Sequence, residues 1–286
     1  MTDLYEEDKI NSWDEVDKLN NEYIKEKRFA FRGQSYAGWK LKTSLERAAE
    51  MFSIDLTKLP KIEEGLIRKY RREAYLYIDQ PPDDNDKMQW LSLMQHHGAP
   101  TRLLDWTYSF FIAVFFAIEQ VVFNEQGHGE CAVWGIDREW LRERSISQLP
   151  KEKREKIARD EDLKEPKTIS ILFDSCSPVR SVYQLNPFRL NQRLIIQQGF
   201  FLAPGDVSQS FMFNIEGLSE SKDVSRHFKK IVINLDRDFF ITAISRLYRM
   251  NISRATLFPG LDGFSASLKH QIPITEAIVT YGLSRK

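Results

Sequence analysis

The sequence predicts an α+β domain, because segments with helical spacing of apolar residues alternate with short runs of strand-forming residues. No internal repeat and no low-complexity tract interrupts this alternation. With 286 residues, of which 42% are hydrophobic and 12% aromatic, the chain is long enough to bury a substantial core. One mixed domain is therefore the simplest expectation.

The N-terminal half contains clear start and stop signals. A first helix is predicted over residues 12–26, because Ser12 is a suitable N-cap and Glu15 follows three residues later. Gly98 and Pro100 mark the end of another helix, since glycine adopts the left-handed C-cap conformation and proline prevents continuation. The predicted elements are helix 12–26, strand 28–33, helix 45–51, helix 62–77, helix 87–97, strand 101–105 and helix 109–120.

The C-terminal half begins with a strand at 130–137 and a charged stretch at 138–162, which predicts an exposed helix or a mobile insertion. Strand formers are frequent from 190 to 202. The remaining predicted elements are strand 229–235, helix 236–250 and a last helix over 258–271. We expect an N-terminal helical segment, 1–27, before a domain at 28–286 with a charged insertion at about 138–185.

Composition limits the classes of function. The 41 basic residues balance the 41 acidic ones, so no global field draws the chain to nucleic acid or to an anionic membrane. Cys131 and Cys176 are the only cysteines, and we expect both to be free thiols. The acidic N-terminus lacks a signal-type apolar region, and the longest apolar run, 110–122, is too short to cross a bilayer. We therefore expect a cytoplasmic protein that makes no membrane contact.

Two segments carry most of the functional argument. Residues 94–107 crowd titratable, aromatic and chain-bending groups together directly before the longest apolar run. Upstream, Arg32 ends an apolar strand before Gly33, an arrangement that presents a guanidinium group to phosphate or ribose.

Several kinds of chemistry find no support. His96 and His97 are adjacent and point about 100° apart on a helix, and no His-x-x-x-His or Cys-x-x-Cys spacing occurs, so we expect no metal site. Gly-x-Ser-x-Gly is absent, and nothing else indicates a nucleophilic triad. The absence of Walker-type and Gly-x-Gly-x-x-Gly loops argues against a kinase or a dinucleotide-dependent dehydrogenase.

The remaining polar groups suit a sugar-phosphate ligand. Arg32 and Arg193 could pair with phosphate oxygens, and Asp105 could accept hydrogen bonds from ribose hydroxyls. Trp106 or Phe200 could cover a flat heteroaromatic ring. Each residue alone fits a structural role equally well: an arginine in an ion pair, a tryptophan in the core, an aspartate as a cap.

Four segments resemble those of the FRG domain family: 31–34 (Phe-Arg-Gly-Gln), 95–107, 193–201 and 257–263. They occur in order between about residues 28 and 270. A more distant resemblance is to arginine-class ADP-ribosyltransferases, which have an aromatic-Arg-Gly strand, a Ser-Thr-Ser strand entering a helix, and a strand with a catalytic glutamate. This resemblance implies a mixed sheet surrounded by helices, with NAD as cofactor.

The resemblance also implies roles for residues. The implied cofactor-binding residues are Arg32, Gly33, Gln34, Thr107, Gln198 and Phe200. The chain has Asp-Trp-Thr in place of Ser-Thr-Ser, and residues 191–193, Asn-Gln-Arg, in place of Glu-x-Glu. Asp105 is the candidate substitute for the missing carboxylate, with Glu46 behind it. Arg193 completes the catalytic set, with His96 or His97 as general base, because an unperturbed imidazole titrates at about pH 6.5.

Three functions remain open. The first is an NAD-dependent transferase that places ADP-ribose on a macromolecule, as a toxin or antiviral defence effector regulated by an antitoxin or another protein. RNA or DNA is a candidate acceptor, because residues 69–72 and 246–249 mix basic and aromatic side chains, although solvated helix faces explain both clusters too. The second is a non-catalytic module that binds a nucleotide or a partner. The third is a nuclease or phosphoesterase that uses the histidines.

Overall fold

A mixed β-sheet forms the centre of the protein. The computed structural model describes residues 4–157, 160, 163, 165–218 and 224–272. The strands are β1 (Glu6–Ile10), β2 (Phe29–Gln34), β3 (Leu104–Thr107), β4 (Gly129–Asp137), β5 (Val182–Leu185), β6 (Gly199–Pro204) and β7 (Phe228–Leu235). Their order in the sheet is β1-β7-β4-β2-β3-β6-β5. The pair β1–β7 is parallel and the other pairs are antiparallel, which agrees with an α+β fold.

Helices surround the sheet. They are α1 (Trp13–Glu26), α2 (Ser44–Met51), α3 (Leu59–Ala74), α4 (Lys87–His96), α5 (Phe110–Ile118), α6 (Arg138–Ser147), α7 (Lys151–Ile157), α8 (Pro166–Leu172), α9 (Gln192–Ile196), α10 (Phe211–Glu216), α11 (Val224–His227), α12 (Arg237–Arg249), α13 (Arg254–Leu257) and α14 (Leu261–Ser267). Short 3₁₀ turns lie at Leu56–Lys58 and Leu268–Gln271. No helix in the described ranges is long and apolar enough to cross a membrane.

The helix boundaries follow the local signals in the sequence. The Ser12 hydroxyl accepts a hydrogen bond from the backbone amide of Glu15 and caps α1, as predicted. Gly98 follows α4 with a φ angle of +79°, in the left-handed region. Ser109 caps α5 by accepting from the amide of Ile112.

The sheet is almost divided between β2 and β3. These strands pair at one position only, Phe31 opposite Thr107, whereas β2 pairs with β4 along its whole length and β3 pairs with β6 along its whole length. One hydrophobic core joins α1, α5 and α12 to β2, β4 and β7. Another joins α3, α4 and α8 to β5 and β6. A third core joins residues of β2, β4 and β7 to residues of β3, β5 and β6, so the two sides of the sheet share buried contacts although β2 and β3 pair at a single position.

Some sequence predictions need correction. Residues 190–202 do not form one long strand, because α9 occupies its first part and Asn191 caps that helix. The last predicted helix starts later, at Leu261, because Gly260 has a φ angle of +123° and breaks the chain direction. The charged stretch at 138–162 forms α6 and α7, and residues 158, 159, 161 and 162 lie outside the described part.

Two strands have no counterpart in the sequence predictions. β1 is an edge strand in which only Ile10 is buried, so it shows no clear apolar alternation. Its acidic residues form ion pairs with β7, Glu6 with Lys229 over 3.4 Å and Glu7 with Lys230 over 2.9 Å. β5 is the other edge strand, and it lies within the range predicted as a charged insertion. Cys131 is buried and Cys176 exposed, and both are free thiols, as predicted.

Candidate functional site

A cleft of about 970 Å³ opens where β2 and β3 separate. This volume is at the upper end of the range of about 300–1,000 Å³ that is typical of small-molecule sites. Beyond Phe31 and Thr107 the two strands no longer exchange backbone hydrogen bonds, so polar groups on both strands remain available. The lining comes from β2, the loop after it, α2, β3, α5, α9 and α13, together with Phe258.

Arg32 bridges the gap between the two strands. Its Nη1 donates a hydrogen bond to the backbone oxygen of Asp105 over 2.6 Å. Its Nε is buried and has no hydrogen-bond partner. Burial lowers the pKa of Arg32 to about 10; the negative charge of Asp105 opposes this change and the positive charge of Arg47 adds to it. No carboxylate forms an ion pair with Arg32 in the described part of the chain, so an anionic ligand would supply the missing counter-charge.

The carboxylate of Asp105 is held by a neighbouring amide. Its Oδ2 accepts a hydrogen bond from Nε2 of Gln95 over 2.8 Å. Gln95 in turn accepts through Oε1 from the hydroxyl of Thr101 over 2.6 Å. Because Oε1 faces a donor, the amide must present its NH₂ group to Asp105, which fixes the carboxylate as an acceptor.

Arg193 reaches the cleft from α9. Its guanidinium carbon lies 4.3 Å from the centre of the Phe258 ring, and that of Arg254 lies 4.4 Å from the same ring. Arg254 is neutralised by Glu119 over 2.8 Å, whereas Arg193 has no ion pair or hydrogen bond among the described residues. Burial lowers the pKa of Arg193; Asp105 and Glu119 oppose this change and Arg254 adds to it. Arg193 is thus a second guanidinium without a bound anion.

The cleft is more positive than the protein as a whole. Its lining contains six cationic side chains and three carboxylates, whereas the whole chain has no net charge. The cationic residues are Arg32, Lys40, Lys42, Arg47, Arg193 and Arg254, and the acidic residues are Glu50, Asp105 and Glu119. Such a local excess attracts anionic ligands although the chain is neutral.

Three other residues that were predicted to bind the cofactor line the cleft but also hold its framework. Gly33 continues β2 instead of forming a turn, and a Cβ atom there would lie 2.1 Å from the backbone oxygen of Ala113. Gln34 accepts a hydrogen bond from the indole nitrogen of Trp134 over 2.7 Å. The hydroxyl of Thr107 donates to the backbone oxygen of Gln197 over 2.7 Å. The polar side chains of Gln34 and Thr107 are therefore occupied within the protein, and Gly33 is needed for close packing.

Four predicted site residues do not line the cleft. His96 and His97 are exposed at the C-terminal end of α4, where their rings pack edge to face. Phe200 is completely buried and stacks on Tyr108, so it has no free face for a ligand ring. Gln198 is exposed with a φ angle of +47°, which turns the chain so that the preceding glutamine, Gln197, lines the cleft instead.

Glu46, the alternative acid, and Trp106, the alternative aromatic residue, are both largely enclosed by the rest of the protein. Glu46 is buried and accepts a hydrogen bond from the backbone amide of Phe211 over 3.1 Å. Burial raises the pKa of Glu46, partly offset by this hydrogen bond, and the side chain does not line the cleft. Trp106 borders the cleft but is only 2% exposed. Neither residue therefore offers a large surface of its own to a ligand in the cleft.

The cleft also contains residues that the sequence did not single out. They include Trp39, Arg47, Glu119, Arg254 and Phe258. Phe258 lies within segment 257–263, which contributed to the family resemblance and was the one available signal. Glu119 and Arg254 are 135 positions apart, and no local pattern indicates that they pair.

The described residues contain no group of three or more His, Cys, Asp or Glu side chains that is suited to a metal ion.

Comparison with known proteins gives one family. The family model described as the FRG domain matches residues 27–125. No curated protein and no solved structure match the chain. The matched segment includes Arg32 and Asp105, whereas Arg193, Arg254 and Phe258 lie beyond it.

Proposed function

The chain has an FRG domain in residues 27–125, and from this premise we propose that the protein is an NAD-dependent ADP-ribosyltransferase that modifies a macromolecule. The observation that carries the proposal is the grouping of Arg32, Arg193 and Asp105 in one cleft. Both guanidinium groups are partly buried and have no carboxylate in an ion pair among the described residues, and the charge of Asp105 acts on both. A pyrophosphate next to a ribose has complementary chemistry.

The order of the elements supports the proposal. Arg32 lies on β2, Asp105 lies on β3 directly before α5, and Arg193 lies on α9 directly before β6. The strands β2, β3 and β6 are neighbours in the sheet. The three segments that resemble transferase motifs in the sequence therefore border the same cleft.

Each residue has a defined task in this proposal. Arg32 and Arg193 bind the phosphate oxygens of NAD, which supplies the ADP-ribosyl group and has nicotinamide as its leaving group. Asp105 accepts a hydrogen bond from a ribose hydroxyl and stabilises the positive charge that develops on the sugar as nicotinamide leaves. Gln95 keeps the Asp105 carboxylate in place. The histidines lie outside the cleft lining, so the acceptor must bring its nucleophile to the sugar without them.

The biological role rests on the resemblance alone. On that basis we propose a toxin or an antiviral defence effector, with an antitoxin or another regulatory protein as partner.

Release of nicotinamide from NAD tests the proposal. We expect the purified protein with a cell lysate to release nicotinamide, and Arg32→Ala and Asp105→Asn to lower the rate by about 10²–10³-fold, the usual effect of losing one electrostatic group. Arg68→Ala is the control, because Arg68 is an exposed arginine on α3. Equal rates in all four proteins would rule out this cleft as the site.

One observation favours a second candidate, the non-catalytic binding module. Every carboxylate in the lining already has a partner: Asp105 has Gln95, Glu119 has Arg254, and Glu50 has Lys42. A module of this kind would bind NAD or a related nucleotide through Arg32 without releasing nicotinamide. The nuclease or phosphoesterase alternative depended on the histidines, and no feature of the cleft favours it.

A further inference from the structure

Trp39 is unusual among the tryptophans of this protein. Of the six, Trp13, Trp90, Trp106 and Trp134 are buried and Trp140 stacks on a histidine, whereas Trp39 is 55% exposed. Trp39 follows β2 and lines the cleft. An exposed indole next to a cleft leaves a large apolar surface in water, which a flat ligand could cover.

A second exposed aromatic residue packs against Trp39. The Tyr36 ring is 54% exposed and meets the Trp39 ring edge to face, with 5.8 Å between the centres. Gly38 makes this arrangement possible, because a Cβ atom at that position would lie 2.6 Å from the tyrosine ring. Edge-to-face packing uses one edge or one face of the indole, so the indole keeps a face available for stacking.

The cleft also has cationic side chains without counter-charges in the described part of the chain. Lys40 and Arg47 line it and have no ion pair within the described ranges, whereas Lys42 is neutralised by Glu50 over 2.7 Å. Arg47 donates a hydrogen bond to the backbone oxygen of Lys42, also over 2.7 Å, which anchors its guanidinium group. We call Tyr36, Trp39, Lys40 and Arg47 the aromatic rim.

We propose that the aromatic rim binds single-stranded nucleic acid, with a base stacked on Trp39 and backbone phosphates near Lys40 and Arg47. Aromatic faces next to uncompensated cations are the combination by which proteins hold single strands. Bases within a duplex are stacked on each other and offer no free face. The inference rests on the proposed function, for which it supplies the acceptor class.

The rim and the NAD-binding residues are different sets of side chains in one cleft. Arg32, Arg193 and Asp105 do not belong to the rim, although the positive charge of Arg47 acts on Arg32. Binding of a nucleic acid can therefore be measured without NAD and without turnover.

Fluorescence anisotropy with fluorescein-labelled 12-nucleotide DNA and RNA tests the rim. We expect both single strands, or one of them, to bind more tightly than the matching duplex. Trp39→Ala should weaken binding at least about fivefold, the lower end for loss of one stacked base, whereas Trp39→Phe should retain most of the affinity. Lys40→Ala should weaken binding to all sequences and lower the salt slope by about one. Tyr77→Ala, at an exposed tyrosine after α3 and outside the cleft, is the control.

Two further readouts separate the rim from the transferase. Base stacking should quench the tryptophan fluorescence of the wild-type protein but not that of Trp39→Ala. Arg32→Ala should keep oligonucleotide binding while losing NAD binding. If neither single strand binds, or Trp39→Ala binds as tightly as the wild type, the rim is not the acceptor site, even where nicotinamide release shows that the transferase is active. If single strands bind through Trp39 and no nicotinamide is released, the rim binds nucleic acid as proposed and the proposed transferase activity is wrong.

Discussion

The amide nitrogen of Gln95 lies 2.8 Å from a carboxylate oxygen of Asp105 and donates a hydrogen bond to it. The oxygen of the same amide accepts from Thr101 over 2.6 Å, and the hydroxyl oxygen of Thr101 accepts from the backbone amide of Leu103 over 3.1 Å. The segment from Gln95 to Asp105 thus folds back on itself, and its polar side chains position one carboxylate in the cleft.

Replacing Gln95 tests this positioning. Gln95→Leu removes the donor to Asp105 and leaves the buried hydroxyl of Thr101 without its acceptor. We expect the free energy of unfolding to fall by about 1–3 kcal/mol and nicotinamide release to slow in the protein that remains folded. Urea denaturation measures the first effect. Gln126→Leu, at an exposed position, should change neither quantity, and unchanged activity in Gln95→Leu would contradict the role of the hydrogen bond.

Gly33 is expected to be irreplaceable for steric reasons. The Cβ of Gly33→Ala would lie 2.1 Å from the backbone oxygen of Ala113 and 2.5 Å from the backbone nitrogen of Ala117, and backbone atoms of a packed helix cannot move aside cheaply. We expect a loss of at least about 3 kcal/mol in the free energy of unfolding. Gly65→Ala is the matched control, because nothing lies within 4 Å of its added Cβ and alanine in the middle of α3 should add about 0.5–1 kcal/mol. Similar stabilities of the two variants would contradict the packing of α5 on β2.

Arg102, in the same sequence segment as Asp105, has a structural role. It forms a buried ion pair with Glu63 through Nε over 2.8 Å, and its guanidinium group lies over the ring of Phe173. We expect Arg102→Met or Glu63→Leu alone to cost about 3–5 kcal/mol, because the first leaves the buried Glu63 only a 4.0 Å contact with Lys87 and the second leaves the buried guanidinium unpaired. The double variant should recover much of this loss in thermal denaturation. A double variant less stable than either single one would contradict the interpretation.

The pKa of His96 reports on Arg193. Partial desolvation at the end of α4 lowers this pKa, and the positive charges of His97 and Arg193 lower it further. We therefore expect Arg193→Gln to raise the pKa of His96 in an NMR titration, whereas Arg254→Gln, which removes a charge that does not act on His96, should leave it unchanged. A shift in the second variant alone would show that Arg193 is not next to the histidine.

The same lowered pKa has a consequence for stability. The unfolded chain binds the proton of His96 more readily than the folded protein, so the unfolding free energy should fall as the pH drops below about 6.5. His96→Gln should reduce this dependence in urea denaturation between about pH 7 and pH 5. An unchanged pH profile in His96→Gln would contradict the contribution of this residue.

The sequence predicts the parts of the fold that depend on local chemistry. Ser12, Gly98 and Ser109 mark helix ends through contacts within a few residues, and the structure has those ends. Strand β1 was not predicted because its contacts with β7, including the ion pairs between charged side chains, join residues more than 200 positions apart. Such long-range pairing leaves no periodic pattern in either segment.

The candidate site, like the fold, could be predicted only where local sequence features indicate it. Arg32 and Asp105 could be selected because each is a charged residue next to a run of apolar, strand-forming residues, and both line the cleft. The histidines were predicted to lie in the site but lie outside the cleft, because the sequence does not show where the side chains at the end of a helix point. Arg254 could not be selected, since its place depends on a buried carboxylate from α5's C-terminal end, Glu119.

The most direct test of the proposed ADP-ribosyltransferase activity is mass spectrometry of RNA, DNA and protein after incubation of the protein with isotopically labelled NAD and a cell lysate. We expect labelled ADP-ribose to become attached to one class of macromolecule, and we expect Arg32→Ala and Asp105→Asn to leave that class unlabelled. If the wild-type protein labels no class and releases no nicotinamide, the protein is not the transferase proposed here.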